Sequence, residues 1–261
     1  MNLSEEIFKR YGFVKRARGN FLYTSKSKRL TDLYRADGNA VLGWGGTGGS
    51  ITPFTMLKNF LNRGLTGFFK TPVSLQADKA VSELFSSQRK TFFFYNLDAA
   101  LFFCRELSAD DAFVYVPWNS ENFNPENKCV VIKAPLAWGT DIFIAAVSSE
   151  LSVNPALLKN SVLIPPALLS AVNRSIFDLI KALQNMKEKD WFIYDTILTK
   201  YFKREGPYLI PKVPYEKYES FVLHCLDLGI VLNPDYEGMS IVPFNADKGL
   251  FKCLKNNPFE F

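Results

Sequence analysis

The sequence predicts an α/β protein with a C-terminal α+β domain. The aromatic run at residues 91–95 is too short for a buried helix and is typical of a strand covered on both faces. Asn96 can cap a helix that follows at once, and a second apolar run, residues 112–116, comes after a polar break. These segments predict a β-α-β unit. Such units bind ligands at the strand-to-helix turn, so we expect function around Asn96.

The helix after Asn96 has an apolar stripe at helical spacing, which predicts its inward face. The stripe consists of Leu97, Ala100, Leu101, Cys104 and Leu107. Asp98 lies in the first turn, where the positive end of the helix dipole favours a carboxylate. Asn96 and Asp98 are therefore candidate ligand contacts. We expect them to stabilise the helix rather than bind an anion, because the Asp98 carboxylate repels a phosphate.

A glycine-dense segment at residues 43–50 precedes the predicted β-α-β unit. It leads to Thr52, which can cap a helix that starts with a proline. Glycines before a helix can cradle a phosphate through backbone N–H groups, and Trp44 in this segment is a third candidate ligand contact. No Gly-Lys-Ser/Thr follows, so the nucleotide P-loop is excluded. We expect a structural role for these glycines.

The other predicted elements follow from apolar periodicity and turn residues. Before the unit they are a helix at residues 4–11 and strands at residues 20–24, 30–34 and 40–42. After it they are strands at 129–132 and 142–147, helices from 165, at 191–202 and at 215–228, and strands at 230–232 and 240–244. We divide the chain into a basic N-terminal arm (1–35), a central α/β domain (36–164) and a C-terminal α+β domain (165–261).

Composition excludes several classes of protein. The chain of 261 residues has no apolar run long enough for a bilayer, and its N-terminus lacks the layout of a signal peptide. Its four cysteines are scattered without metal-ligand spacing, which is typical of reduced thiols in a cytoplasmic protein. His224 is the single histidine, so a histidine-based metal cluster within one chain is impossible. We expect no metal site.

The positive charge is concentrated in the first 35 residues. Nine lysines and arginines face three acidic residues there, which gives this arm +6 and leaves −1 for the rest of the chain. A basic arm can meet phosphates or an acidic partner. We expect a solvated face instead, and no nucleic-acid binding, because nucleic-acid binders usually make many phosphate contacts along a surface.

Three places in the chain resemble the class III aminotransferases, which are pyridoxal-phosphate (PLP) enzymes of fold type I. The first is residues 16–23 followed by Asp-Leu-Tyr at 32–34, and the second is the strand and helix at 91–105. The third is the C-terminal part, with residues 203–208, 229–232 and 240–243. The resemblance implies a reduced fold type I central sheet and a homodimer.

The sequence departs from this family at the sites of its chemistry. Residues 95–98 (Tyr-Asn-Leu-Asp) have no glycine or aliphatic hydroxyl where the family binds the phosphate. No Asp-Glu-x-Gln segment is present to hold the pyridine nitrogen, and the chain between Leu107 and Pro165 is shorter than the family's central region. We therefore expect a non-catalytic relative without a cofactor, with a binding or regulatory role and an unknown small-molecule ligand.

Lys133 carries the alternative, which is an active PLP enzyme. It is the one lysine at the end of an apolar strand, and burial in an apolar pocket lowers a lysine's pKa and frees its amine. Covalent PLP chemistry needs such an amine, together with a carboxylate at the ring nitrogen. The plainer interpretation is that the Lys133 stem packs while its ammonium reaches water.

Overall fold

The chain forms two compact units, each made of strands and helices. The first unit is Met1–Gly45 with Met186–Phe261, and the second is Gly46–Asn185. A computed structural model describes residues 1–45, 51–108, 112–119, 123–124, 126–244 and 246–261. Residues 46–50 of the glycine-dense segment and residues 109–111 of the polar break therefore lie outside the described residues. The predicted α/β class is confirmed.

Helices and strands are interspersed along the chain. In order they are α1 (Leu3–Tyr11), β1 (Val14–Arg18), β2 (Phe21–Thr24), β3 (Arg29–Asp32), α2 (Pro53–Leu61), α3 (Val73–Phe85), β4 (Arg89–Phe94), α4 (Leu97–Leu107), β5 (Ala112–Tyr115), β6 (Cys129–Lys133), β7 (Phe143–Ser148), a 3-10 helix (Pro155–Asn160), α5 (Pro166–Asn185), α6 (Lys189–Phe192), α7 (Asp195–Leu198), β8 (Phe202–Glu205), β9 (Tyr208–Pro211), α8 (Tyr215–Asp227), β10 (Ile230–Val231), β11 (Ser240–Ile241) and α9 (Lys252–Asn256).

The main sheet of the first unit joins the two ends of the chain. Its strand order is β1-β2-β3-β10, with β10 parallel to β3 and the other pairs antiparallel. Leu22 and Leu30 pack from one face of this sheet against α1 and α8. Because β3 pairs with β10, the first 35 residues share a sheet with the C-terminal part. The predicted domain boundaries after residues 35 and 164 do not coincide with these units.

Two predicted elements of the first unit differ from the structure. Residues 40–42 form turns instead of a strand, because Arg35 folds this segment back and its guanidinium donates to the carbonyl of Ala40 at 3.3 Å. The predicted helix at 191–202 is two short helices, α6 and α7, and Phe202 already pairs with Pro211 in a second sheet. That sheet has the order β11-β9-β8.

The sheet of the second unit confirms the predicted β-α-β unit. Its strand order is β4-β7-β6-β5; β7 runs antiparallel to both of its neighbours, and β6 is parallel to β5. Strands β4 and β5 therefore point the same way, with α4 crossing between them. Phe94 of β4 and Phe103 and Cys104 of α4 form the core with Val131 of β6. Phe103, outside the predicted stripe, is buried, whereas the predicted Leu97 and Leu101 are only partly buried.

The remaining helices of the second unit pack together. Helix α5 contacts both α2 and α3, and the buried Asn173 amide donates to the carbonyl of Val73 at 2.8 Å. The Thr52 hydroxyl accepts from the amide of Thr55 at 3.1 Å, which confirms the predicted cap of α2. Across the described ranges, no helix is both long and apolar enough to cross a membrane. The same residues contain no group of three metal-ligating side chains.

Candidate functional site

One edge of the second unit's sheet brings together the ends of three strands. Phe94 at the end of β4 lies opposite Phe143 of β7, and Phe143 lies opposite Lys133 at the end of β6. Tyr115 at the end of β5 pairs with Ile132, one residue before Lys133. Neighbouring strands are about 4.8 Å apart, so the backbones at Phe94 and Lys133 are separated by about 10 Å. This carboxyl edge is where open α/β sheets bind ligands.

The turn after β4 has the geometry of a capped helix start. Asn96 has an extended backbone, and its side-chain oxygen accepts from the amide of Ala99 at 3.0 Å, which confirms the predicted cap. Asp98 is exposed in the first turn. The first amides of a helix have no partner within it and carry the positive end of the dipole. Here the Asp98 carboxylate lies at that positive end.

Lys133 lies at the same edge, held by an acidic partner. Its Nζ is 3.2 Å from a carboxylate oxygen of Asp141, in the loop that precedes β7. The Lys133 side chain is 27% exposed and that of Asp141 is 37% exposed, so the pair is reachable from solvent. The strand end thus presents a primary amine at the edge where open α/β sheets bind ligands. Asp141 was missed by sequence reasoning, although it is the acid just before a predicted strand.

The end of β5 is aromatic. Tyr115 contacts Phe85 edge-on, with ring centroids 5.1 Å apart, and also contacts Phe123 at 5.4 Å. Burial raises the pKa of Tyr115, so its hydroxyl stays neutral. Residues 112–119 (Ala-Phe-Val-Tyr-Val-Pro-Trp-Asn) contain no acidic side chain. This strand end therefore offers no carboxylate to a basic ring nitrogen.

Trp44, the third predicted ligand contact, lies in the first unit and has a structural contact there. Its indole Nε1 donates to a carboxylate oxygen of Asp32 at 2.6 Å. Burial raises the pKa of Asp32 and lowers that of the neighbouring Arg35 to about 10. Arg35 donates from its backbone amide to Asp32 at 3.1 Å and from its guanidinium to Asn20 at 2.6 Å. These contacts join Trp44 to the core of its own unit.

A cavity of about 470 Å³ lies beside the outer edge of β4. Asp78 caps that edge, because one carboxylate oxygen accepts from the amide of Thr91 at 2.8 Å and from its hydroxyl at 2.7 Å. Three apolar side chains in the lining remain exposed: Phe68 at 67%, Phe69 at 56% and Leu163 at 74%. Exposed apolar side chains in one patch are typical of a surface that contacts another molecule.

Comparison with known proteins gives one sequence relative and many similar folds. No protein-family model matches the chain. A protein of Treponema pallidum (strain Nichols), described only as uncharacterized, is 26% identical over 287 aligned residues that cover 91% of each chain. Among solved structures, ornithine aminotransferase from Plasmodium yoelii has a TM-score of 0.66 at 12% identity, and the match covers 93% of this chain and 91% of the other.

Two further solved structures are similar to this chain over most of its length. A glutamate-1-semialdehyde aminomutase from Pseudomonas aeruginosa PAO1 has a TM-score of 0.63 at 11% identity, covering 94% of this chain and 86% of that one. Acetylornithine aminotransferase from Elizabethkingia anophelis has a TM-score of 0.63 at 10% identity and covers 98% of both chains. Matches of this extent do not show the shortening that the sequence predicts.

These neighbours correct one expectation. From the sequence we expect no cofactor, but the neighbours are PLP-dependent enzymes and point to pyridoxal phosphate. One structure of the aminomutase is described as a complex with PMP. Identities of 10–12% carry information about the fold alone. The chain therefore has the fold of the class III aminotransferases.

Proposed function

We propose that this chain binds pyridoxal phosphate at the carboxyl edge of the second unit's sheet, with Lys133 as the residue that bonds it. The position of Lys133 carries the proposal. Lys133 is the last residue of β6 and lies opposite Phe143, which in turn lies opposite Phe94 at the end of β4. A carboxylate oxygen of Asp141 lies 3.2 Å from its amine. When bound, this cofactor supplies an aldehyde for a primary amine and a ring that withdraws electrons.

The residues at this edge fit the aldehyde end of the cofactor better than its other groups. Lys133 supplies the amine. Tyr115 pairs with Ile132, one residue earlier, so its ring lies on the other face of the sheet and does not line the space around this amine. The start of α4 offers amides to a phosphate, but the Asp98 carboxylate opposes it. No acidic side chain follows β5 within residues 116–119 to hold the ring nitrogen. Binding should therefore depend chiefly on Lys133.

The proposed role is binding or regulatory, in a shortened and degenerate aminotransferase-like protein. A carboxylate at the ring nitrogen keeps the pyridine protonated, and the ring then accepts electrons well. Because residues 112–119 provide none, we expect slow transamination or none. The second candidate is an active enzyme that uses Lys133, and it is favoured by the half-exposed amine itself.

The test is a titration of purified protein with pyridoxal phosphate, followed by absorbance. We expect a visible band that borohydride converts into a stable adduct, which peptide mass spectrometry assigns to Lys133. Lys133→Met should abolish the band. Lys128→Met is the matched control, because Lys128 is an exposed lysine just before the same strand and should leave the band unchanged. Transamination is measured with a panel of amino acids as donors.

The outcomes separate the two candidates. A band without turnover supports the binding role, and turnover that is lost in Lys133→Met establishes the enzyme. Absence of the band in the wild-type protein at millimolar pyridoxal phosphate contradicts cofactor binding. A band that survives in Lys133→Met shows that another amine is used.

We also propose a homodimer, supported by the exposed side chains of Phe68, Phe69 and Leu163 around one cavity. Sedimentation velocity should give twice the chain mass of 29.7 kDa. The double substitution Phe69→Ser and Leu163→Ser should shift the protein toward monomer, whereas Phe192→Ser, at an exposed phenylalanine of the first unit, should not. A wild-type monomer at micromolar concentration contradicts the proposal.

We place the protein in the cytoplasm. All four cysteines are free, and Cys104, Cys129 and Cys225 are buried. Free thiols are typical of reducing compartments. Fractionation of cells that express a tagged chain tests this placement, and recovery of the chain outside the cytoplasm contradicts it.

A further inference from the structure

The outer face of the first unit's main sheet collects arginines and aromatic rings. Strand β2 alternates, with Leu22 and Thr24 buried on the inner face and Phe21 and Tyr23 partly exposed on the outer face. Arg16 lies opposite Tyr23, Arg18 lies opposite Phe21, and Tyr23 lies opposite Arg29. The arginine–aromatic face is defined by these five outer residues: Arg16, Arg18, Phe21, Tyr23 and Arg29.

The arginines of this face contact rings rather than acids. The guanidinium of Arg29 lies 4.4 Å from the ring centre of Phe21, and that of Arg16 lies 5.6 Å from the ring centre of Tyr23. All three arginines are exposed. Within the part of the chain that the structure describes, none of them has an ion pair. Three exposed positive charges therefore lie on one face of the sheet.

Other basic residues of the same arm are already used within the fold. Arg10 donates to Asp227 at 2.5 Å and also pairs with Glu6. Arg35 is fully buried and donates to Asn20. The net charge of the first 35 residues is therefore larger than the charge that a partner molecule can contact. The sheet register, in contrast, places three of the unpaired arginines together.

Charge alone leads us to expect no nucleic-acid binding by the first 35 residues. From the strand register and the ring contacts we propose instead that the arginine–aromatic face binds single-stranded nucleic acid. Unpaired arginines attract phosphates, and rings and guanidinium planes stack on bases of any sequence. Phe21 and Tyr23 are two residues apart on one strand, or about 7 Å, which gives room for two neighbouring bases. An acidic protein would form ion pairs with the arginines but would make little use of stacking on the rings. This proposal does not depend on Lys133 or on a cofactor.

The expected binding is weak and depends on salt. Three phosphate contacts on a single strand predict a slope of about −2 for log K against log salt. Affinity should then fall about 20-fold between 50 and 200 mM KCl. The probe is a fluorescein-labelled 12-nucleotide poly-U RNA, measured by fluorescence anisotropy with the full chain.

Two sets of variants test the face. The triple substitution Arg16→Ala, Arg18→Ala and Arg29→Ala should weaken binding at least tenfold and bring the salt slope close to zero. Tyr23→Leu should weaken binding about fivefold and leave the slope unchanged, because it removes stacking and no charge. The matched control removes three exposed lysines of the same unit: Lys248→Ala, Lys252→Ala and Lys255→Ala. The control should change affinity less than threefold.

Several outcomes overturn the proposal. One is no binding of poly-U at 50 mM KCl and 100 µM protein. Another is an equal loss of affinity in the lysine control. The third is an unchanged affinity in Tyr23→Leu together with equal binding of polyglutamate. The last result assigns the face to an acidic protein partner. Circular dichroism confirms folding of each variant. If the triple variant is unfolded, Arg18→Ala alone should still reduce the slope by about 0.7, and an unchanged slope contradicts the proposal.

Discussion

Each unit contains a polar centre with an acid and a base, and the two centres differ in burial. In the first unit, Asp32 and Arg35 are 1% and 0% exposed, and Trp44 and Asn20 complete their hydrogen bonds. In the second unit, Lys133 and Asp141 form a half-exposed pair at the edge of a sheet. Burial fixes the first centre as part of the fold. Because the second centre is partly exposed, a ligand can contact it.

This difference explains why composition alone does not point to the candidate site. Arg35 and Trp44 belong to a charged or glycine-rich stretch, yet their hydrogen bonds stay within the first unit. Lys133 belongs to an apolar strand and has no local motif, yet it ends at the edge where α/β sheets bind ligands. The following substitutions test the contrast, from the largest expected effect to the smallest.

Arg35→Met should have the largest effect on stability. It leaves the buried oxygen of Asn20 and the carbonyl of Ala40 without their donor, and it leaves Asp32 without a nearby positive charge. Breaking a buried charge network of this kind costs about 3–5 kcal/mol in the free energy of unfolding. Chemical denaturation measures the change. Arg18→Ala, an exposed arginine of the same unit, should change it by less than about 0.5 kcal/mol.

The buried centre should also make the free energy of unfolding depend on pH. Burial raises the pKa of Asp32, so the folded state binds its proton more tightly than the unfolded chain does. The contribution of Asp32 to stability is therefore present below its ordinary pKa and is lost as the pH rises through the raised value. Asp32→Asn should remove this component. Denaturation of both proteins across pH 3–8 tests it, and parallel pH profiles contradict it.

Asn96→Ala should lower stability by about 1 kcal/mol, because the Asn96 side chain caps α4 through the amide of Ala99. Asn62→Ala is the matched control, since Asn62 is exposed at the end of α2. Thermal melts with and without excess phosphate measure both effects. We expect no stabilisation by phosphate, owing to Asp98. Phosphate stabilisation of the wild type that Asn96→Ala abolishes would show that this turn binds anions.

Asp141→Asn should have the smallest effect on folding. A half-exposed ion pair contributes roughly 0–1 kcal/mol, because solvent screens it. Denaturation should show a change within that range. A loss comparable to that of Arg35→Met would mean that Lys133 and Asp141 support the fold, and the contrast between the two centres would fail.

Much of the local structure follows from the sequence because short-range signals are strong. Apolar alternation, the caps at Thr52 and Asn96 and the helical stripe after Asn96 predict elements that the structure contains. Capping needs only a side-chain oxygen and an amide three residues later, and both are local. The predicted helix at 191–202 does not reach residue 202, because Phe202 pairs with Pro211 in a β-sheet and no local signal encodes that pairing.

The sequence by itself determined the α/β class, the strand-to-helix turn at Asn96 and the exclusion of a histidine-based metal cluster. Only the tertiary structure decided the rest. Strand register sets Lys133 in line with the start of α4 and brings Arg16, Arg18 and Arg29 to one face. Pairing of β3 with β10 joins segments about 200 residues apart. Such non-local pairings depend on packing across the whole chain, so residue types and spacing do not specify them.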